Sequence, residues 1–420
     1  MRARAPGKLG AGISLTAGLG VFGIAGYAFV SIIGYAFADD PAAVGALTSF
    51  YLLMNIIGPG LFAALEPETS RAVSASLTVG APIRPVVRRS AVLAIWMFVG
   101  FAAIVLALWP VLLSGVLGGD AALLGALLLG GASAGAVYCV RGALSGRQQF
   151  GAYALTLHLE GGFRLVACGL LLLFAVQDAA LFGLAFAAGT AVAAVALLPA
   201  VHPGRAVAGG SGHTDRMGRA VAFLATATLL TQLVANLAPV VVTHRMPYDL
   251  VTASAFSVTY VLARIPLVLF TPIQAMLLPQ LSSAATSGDL AVVRARVRQV
   301  VAIVLGLGAV AVLAGTALGP WAVRFLFNAP TAPGRWTFAL LGISAVVIMI
   351  ALVLQPAVVA LQHQRTVTVA WVLGTAVYVA LLFAPIEPIA AALVAQIAGP
   401  LAVLAVTGGH LLRLLRRPAG

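Results

Sequence analysis

Charge is what this sequence has least of. Only 8% of its 420 residues are charged and Lys8 is the single lysine, whereas a soluble domain carries about 25% charged residues. Hydrophobic residues make up 62% of the chain, and the mean hydropathy is +1.08. So few charges cannot cover a surface that faces water. The composition therefore excludes a soluble enzyme, a disordered regulator and a nucleic-acid-binding domain.

Cysteine and familiar catalytic patterns are also scarce. Cys139 and Cys168 are the only cysteines, and both lie in apolar runs, which excludes a disulfide framework and a zinc site. The sequence contains no P-loop, HExxH or CxxC pattern. We therefore expect no metal and no cofactor, and a transporter rather than an enzyme. Without an ATP site, transport would run on a coupling ion, H+ or Na+, or on the supply of substrate.

Long apolar runs are abundant. A helix needs roughly 20 mostly apolar residues to cross a membrane, and this criterion predicts an all-α polytopic membrane protein with 12 transmembrane helices. The predicted spans are 9–38, 42–64, 91–117, 121–143, 153–176, 179–201, 219–243, 250–278, 299–319, 337–361, 366–385 and 388–412.

The basic residues indicate the orientation of these spans. If the N-terminus is cytoplasmic, most of the 24 basic residues lie in cytoplasmic segments, and the opposite side holds only Arg245, Arg324 and Arg335. Loops that remain in the cytoplasm carry an excess of Lys and Arg. We therefore predict a multi-pass plasma-membrane protein with both termini in the cytoplasm. The net charge of +13 reflects this topology, so nucleic acid is not an expected partner.

The two halves of the chain share a short pattern. The residues Ala63, Leu65, Pro67, Ser70 and Ala72 recur with the same spacing as Ala275, Leu277, Pro279, Ser282 and Ala284. Six spans per half is an even number, so the repeat is parallel, and transporters of this kind bind substrate between the repeats. The sequence predicts two six-helix bundles around a central cavity, 1–205 and 219–420, joined by a cytoplasmic linker at 206–218.

Three charged residues lie well inside predicted spans, away from their ends: Glu160, Arg164 and Arg264. Each costs about 2.5–3.5 kcal/mol to insert, and such residues usually face a cavity or a partner. In one interpretation, Arg164 and Arg264 line the cavity and attract an anion such as a phosphate. In the other, Glu160 and Arg164 neutralise each other one turn apart, while Arg264 reaches the membrane surface or bonds to carbonyls freed by Pro266.

Uncharged polar residues and helix breakers complete the candidate site. Polar side chains within spans either contact substrate or hold helices together, and those singled out are Asn55, Gln232 and Asn236. Proline and glycine bend a membrane helix where its freed carbonyls can be satisfied. We predict hinges, with static bends as the alternative, at Gly58, Pro59, Gly60, Pro266 and Pro272.

Two segments carry a resemblance to a known family. They are NIIGPGLFAALEPETSR (55–71) and YVLARIPLVLFTPIQAMLLPQLS (260–282). Together with the predicted topology they resemble the multidrug/oligosaccharidyl-lipid/polysaccharide (MOP) exporter superfamily, and the second segment is similar to polysaccharide and lipid II flippases. Twelve spans rather than fourteen place the resemblance in the polysaccharide branch.

The resemblance implies a function. Such a flippase moves a polyprenyl-pyrophosphate-linked oligosaccharide from the cytoplasmic to the outer leaflet by alternating access, for cell-surface polysaccharide biosynthesis. Arg264 would be the cavity arginine of span 8. The implied partners are the lipid-linked oligosaccharide, membrane lipids, and a polysaccharide polymerase or glycosyltransferases.

Two alternatives stay open. A cation-coupled multidrug exporter of the same fold would need carboxylates within its spans, and Glu160 is the only one found there. A non-transporting scaffold for cell-wall assembly would instead use its cytoplasmic loops. Two arginines against one glutamate favour an anionic substrate.

Overall fold

Every regular element that the structure describes is a helix. The computed structural model describes residues 8–201, 217–267, 270, 281, 290–361 and 363–416, and no strand occurs among them. The α-helices are α1 (Lys8–Ala36), α2 (Pro41–Asn55), α3 (Leu65–Thr78), α4 (Arg84–Ala107), α5 (Trp109–Gly115), α6 (Ala121–Gly146), α7 (Phe150–Leu173), α8 (Ala179–Leu197), α9 (Met217–Arg245), α10 (Leu250–Leu262), α11 (Leu290–Phe327), α12 (Arg335–Ala360), α13 (Gln364–Leu382) and α14 (Pro388–Arg416).

Among the described residues, 12 helical segments are long and apolar enough to cross a membrane. The predicted all-α class and span count are therefore confirmed. Three boundaries were wrong, because a helix continues past the end of its apolar run. Much of the stretch 65–90, predicted as a connection, is helix α3; span 3 begins at Arg84 and span 9 at Leu290. Glu66 and Glu68 in the first turn of α3 favour its N-terminus electrostatically.

The chain divides into two compact units, Met1–Gln232 (unit 1) and Leu233–Gly420 (unit 2). The boundary falls within α9. The predicted division into 1–205 and 219–420 stays a prediction, and most of the predicted linker, residues 206–216, lies outside the described residues.

Close helix packing holds unit 1 together. Helix α1 packs on α7, and α6 packs on α3, α4 and α8. Where α6 crosses α3, a Cβ on Gly142 would lie 2.7 Å from the carbonyl oxygen of Glu66, so only glycine permits this approach. Phe29 of α1 packs on Phe186 of α8, with the rings tilted by 51° and their centroids 4.6 Å apart. Small residues let backbones approach closely, which is how membrane helices associate without a hydrophobic driving force.

The isolated acidic residues of the short turns begin helices. Asp40, Asp120, Asp178 and Asp249 each accept a hydrogen bond from a backbone N–H in the first turn of α2, α6, α8 and α10. Glu387 does the same for α14, accepting from the backbone N–H of Ala390 at 2.6 Å. A side-chain acceptor at this position satisfies an otherwise unpaired N–H. These carboxylates therefore serve the fold.

Unit 2 contains three main helix contacts: α13 with α14, α11 with α12, and α12 with α14. Arg245, in the last turn of α9, donates to three backbone carbonyls at and beyond the end of α13. The acceptors are Leu382 at 2.8 Å, and Ala384 and Ile386 at 2.9 Å each. The final carbonyls of a helix lack partners within the helix, so Arg245 supplies the missing donors from a distant part of the chain.

Candidate functional site

The second span is broken at the predicted glycine–proline segment. Helix α2 ends at Asn55, a π-helical turn covers Ile56–Leu61 with Pro59 inside it, and a 3-10 turn follows. Proline removes a backbone donor, and the Thr228 hydroxyl donates to the carbonyl of Gly60 at 2.6 Å. Gly58, Pro59 and Gly60 thus lie at a real departure from α-helix, while their role as a hinge stays a prediction.

The three predicted uncharged polar residues are divided between the two units. The Asn55 amide donates to the carbonyl of Tyr51 at 2.9 Å, one turn earlier on its own helix. The side chain of Gln232 packs beside Gly60 in unit 1. Asn236 is buried and belongs to unit 2. Their contact with substrate stays a prediction.

The centre of unit 1 is a cluster of charged residues that we call the Arg–Glu–Arg cluster: Arg141, Glu160 and Arg164. One carboxylate oxygen of Glu160 lies 2.6 Å from Nη2 of Arg141, and the other lies 2.6 Å from Nη2 of Arg164. All three side chains are 4–6% exposed. One of the two interpretations of the sequence paired Glu160 with Arg164, and the structure brings these two side chains together.

Arg141 is the residue that sequence reasoning missed. It was assigned to the cytoplasmic side, but it lies inside α6 and is 3% exposed. Its position within the apolar run 121–143 was the available signal. Its partner Glu160 is on α7, and a contact between two helices leaves no periodic trace in the sequence.

Hydroxyls and carbonyls complete the hydrogen bonding of the cluster. The Thr190 hydroxyl lies 2.8 Å from the Glu160 carboxylate, and Arg164 Nε donates to the carbonyl of Phe186 at 3.1 Å. A Cβ on Gly189 would lie 2.8 Å from Cγ of Arg164, so this glycine makes room for the arginine. The cluster therefore ties α6, α7 and α8 together.

Aromatic rings cover the two guanidinium groups. The guanidinium carbon of Arg164 lies 3.9 Å from the ring centroid of Phe186, and Phe22 lies within 6 Å of both arginines. Ring faces attract cations most strongly where water is excluded. Two arginines and one glutamate leave the cluster with one net positive charge.

A small cavity adjoins the cluster. It measures about 30 Å³, and its lining includes Asn55, Tyr138, Glu160, Arg164 and Thr190. A site of this size and polarity can hold water. It has no room for a lipid-linked sugar.

Arg264 lies in a different environment, in unit 2. Its Nη2 donates to the hydroxyl of Tyr260 at 2.6 Å, and its guanidinium carbon lies 4.5 Å from the centroid of the same ring. The structure shows this contact instead of the expected bond to a carbonyl freed by Pro266. Within the described part of the chain, Arg264 forms no ion pair. Helix α10 ends at Leu262, just before Arg264, and the predicted hinge residue Pro272 lies outside the described residues.

Tyr260 connects Arg264 to the rest of unit 2. Its hydroxyl lies 3.1 Å from the carbonyl of Ala235 and 2.8 Å from Oε1 of Gln396. Pro239 follows Ala235 by four residues inside α9, so this carbonyl lacks its helical donor. The Tyr260 hydroxyl thus lies between the Arg264 guanidinium and a backbone carbonyl that lacks its helical donor.

One pentapeptide matches a hydrolase pattern. Gly131–Gly135 reads GxSxG, the pattern around the nucleophile of many hydrolases, which requires a strand-to-helix turn. Ser133 instead lies in the middle of α6 and donates to the carbonyl of Leu129 at 2.7 Å. The described residues also contain no group of three His, Cys, Asp or Glu residues that could hold a metal ion.

Comparison with known proteins gives a likeness in structure alone. No sequence model of a protein family and no curated protein sequence matches the chain. A multidrug resistance MATE family transporter of the MOP superfamily, solved in an inward-facing conformation, superposes with a TM-score of 0.74 and 12% identity, covering 96% of each chain. The MATE transporter ClbM in complex with Rb+ gives 0.55 and 14% identity, over 97% of this chain and 93% of ClbM.

The lipid II flippase MurJ, in an inward closed conformation, gives a TM-score of 0.56 and 12% identity, over 94% of this chain and 91% of its own. The solved structures are therefore those of transporters and a flippase, with similarity along nearly their whole length. The chain has the fold of the MOP exporter superfamily.

Proposed function

We propose that this protein is a membrane exporter that moves an anionic lipid-linked substrate, a polyprenyl-pyrophosphate-linked oligosaccharide, across the plasma membrane by alternating access. A polysaccharide polymerase or glycosyltransferases would be its partners in cell-surface polysaccharide biosynthesis. The proposal joins the fold that the chain shares with transporters and a flippase to the charges inside its spans.

The state of Arg264 is the observation that supports an anionic substrate. Arg141 and Arg164 share the carboxylate of Glu160, whereas Arg264 contacts only a neutral hydroxyl among the described residues. A guanidinium in a membrane span is costly unless an anion or a cavity compensates it. Because Tyr260 accepts from one nitrogen and the described residues offer no acceptor to the others, we expect further N–H groups of Arg264 to bind the oxygens of a phosphate.

A cation-coupled multidrug exporter is the second candidate, because MATE transporters share the fold. An organic cation or a coupling ion needs a carboxylate that it can approach. Both oxygens of Glu160 are occupied by arginines, and the side chain is 4% exposed. This arrangement argues against Glu160 as a cation site and favours the flippase.

The test is translocation of a fluorescent polyprenyl-pyrophosphate oligosaccharide in proteoliposomes, with and without a Na+ or H+ gradient. We expect Arg264→Ala to lose at least tenfold in rate, because one buried charge-assisted contact is worth about 1.5–3 kcal/mol. Arg264→Lys should retain part of the activity if charge alone matters, and little if two oxygens are bound side by side.

Arg324→Ala is the matched control. It removes a different, exposed arginine near the end of α11, so its rate should stay near that of the wild type if Arg264 itself binds the substrate. Transport by Arg264→Ala at the wild-type rate would contradict the role of this arginine. Failure of the wild type to move the lipid, together with efflux of a cationic dye under an ion gradient, would favour the multidrug exporter.

A further inference from the structure

The start of helix α4 carries three neighbouring arginines for which the described residues provide no counter-charge. Arg84, Arg88 and Arg89 are all exposed, and none of them forms an ion pair or a hydrogen bond with another described residue. We call them the α4 arginine patch. Two other arginines near the ends of helices are engaged: Arg147 donates to the carbonyl of Ala200, and Arg294 donates to that of Leu415.

Packing fixes the direction in which the patch faces. Val86 and Ser90 are buried on the opposite side of the same turns; Val86 joins an apolar cluster with α3, and the Ser90 hydroxyl lies 2.7 Å from that of Thr69. Residues two apart on a helix point about 160° apart. Arg84 and Arg88, each two residues from Val86, therefore point away from α3, whereas Arg89 points toward the start of α9.

The patch borders an open cleft of about 580 Å³, whose lining includes all three arginines, Pro85 and Val92. Binding sites for small ligands measure about 300–1,000 Å³. The guanidinium of Arg89 also lies beside Gly218 at the start of α9, where the next residue, Arg219, is exposed as well. Three cations that repel one another around one cleft favour an anionic ligand.

The surface of α4 beyond the patch is apolar. Ile95 and Trp96 are 60% and 69% exposed, and they lie two turns beyond Arg88 and Arg89 on the same faces of the helix. Val99 and Leu106 continue this exposed surface along the span. Hydrocarbon chains that cover these residues would leave a phosphate about 10 Å away, at the level of the arginines.

We infer that the α4 arginine patch binds the headgroup of an anionic phospholipid whose chains lie against Ile95 and Trp96. The two parts of the surface match the two parts of one amphiphile, a negatively charged phosphate and a hydrocarbon chain. In polybasic segments beside membrane helices, each basic residue near the surface raises the affinity for anionic lipids about fivefold. Three arginines therefore predict a preference on the order of 100-fold at low salt. This site is independent of the transported substrate.

Trp96 allows a direct measurement. In the full-length protein, Trp109, Trp321 and Trp336 are replaced by phenylalanine, so that Trp96 is the lipid-exposed tryptophan while Trp371 is buried. The protein is reconstituted with brominated phosphatidylglycerol or brominated phosphatidylcholine at equal mole fraction. We expect quenching of Trp96 to show at least a tenfold preference for phosphatidylglycerol.

The variants separate a site from general surface charge. Arg84→Gln/Arg88→Gln/Arg89→Gln should bring the preference close to one, with unchanged helix content. Arg324→Gln/Arg335→Gln removes two exposed charges, one near the end of α11 and one at the start of α12. Both are predicted to lie on the side of the membrane opposite to the patch, so this variant should leave the preference unaltered. Equal quenching by both lipids in the wild type, or a preference that survives the triple substitution, would overturn the inference.

Competition by inorganic phosphate shows whether the patch binds the phosphate of a lipid headgroup or a soluble anion. The same measurement is repeated with about 10 mM inorganic phosphate, a concentration that would occupy even a site with a millimolar dissociation constant. We expect no loss of the phosphatidylglycerol preference, because the acyl chains contribute to binding. Loss of the preference would mean that the cleft takes a soluble anion, and the assignment to a lipid would be wrong.

Discussion

Replacing Glu160 with glutamine tests the Arg–Glu–Arg cluster most directly. Glutamine keeps the size of the side chain and loses its charge. Two guanidinium groups, each now 2.6 Å from a carboxylate oxygen and at most 6% exposed, would share one neutral amide. The net charge of the cluster would rise from one to two in a region that excludes water.

The geometry sets the size of the effect. Unit charges about 4 Å apart interact by about 4 kcal/mol at an effective dielectric constant of about 20, and Glu160 makes two such contacts. Measured losses on removing one partner of a buried pair are about 3–5 kcal/mol, because the remaining charge is left uncompensated. We therefore expect Glu160→Gln to lower the free energy of unfolding by about 4 kcal/mol.

The assay is reversible unfolding in mixed micelles with increasing dodecyl sulfate. Glu160→Gln/Arg141→Met, which restores a net charge of one, should be more stable than the single variant. Glu68→Gln is the matched control, because its partner Arg71 is 54% exposed; a pair with an exposed member contributes about 1 kcal/mol or less. The reasoning is wrong if Glu160→Gln unfolds within 1 kcal/mol of the wild type, or if the losses in the double variant simply add.

Three other substitutions have expected outcomes. Gly189→Ala should lower the free energy of unfolding by about 1–3 kcal/mol, because the added methyl group would clash with the aliphatic part of the Arg164 side chain. Wild-type stability of this variant would show that the Arg164 side chain can move away. Arg245→Gln should destabilise unit 2 by about 2 kcal/mol, because three carbonyls lose charged donors. Amide hydrogen exchange should become faster at the end of α13. Unchanged exchange there would contradict the stabilising role of Arg245. Thr228→Val should lower the free energy of unfolding by about 1 kcal/mol and speed amide hydrogen exchange around the break in span 2, because the carbonyl of Gly60 loses its 2.6 Å donor. Unchanged hydrogen exchange there would mean that water replaces the hydroxyl.

The elements that the sequence predicted well are those governed by local rules. Twelve spans follow from apolar runs of sufficient length, because backbone groups in lipid must pair within their own helix. The contact of Glu160 with Arg164 follows from their spacing of one turn. Helix ends were less accurate, as the start of span 9 shows, because a helix can extend into water beyond its apolar run.

Contacts between distant segments could not be derived in the same way. Arg141 meets Glu160 across two helices, and nothing in a single sequence encodes that pairing. Tyr260 is a different case, because it precedes Arg264 by one turn. Its spacing was readable, but an acidic partner was sought for the arginine, and a phenol hydroxyl also accepts a hydrogen bond from a guanidinium.

The position of Arg245 has a consequence for biogenesis. The guanidinium belongs to α9, and its nearest acceptor carbonyl is 137 residues further along the chain. At about 5–20 residues per second of synthesis, the ribosome needs roughly 7–27 s to make the segment that completes this contact. During that interval the arginine has only water and lipid headgroups as partners. The end of α9 is therefore among the last parts of unit 2 to be secured, and a nascent chain stalled before α13 would expose it to the quality-control proteases of the membrane.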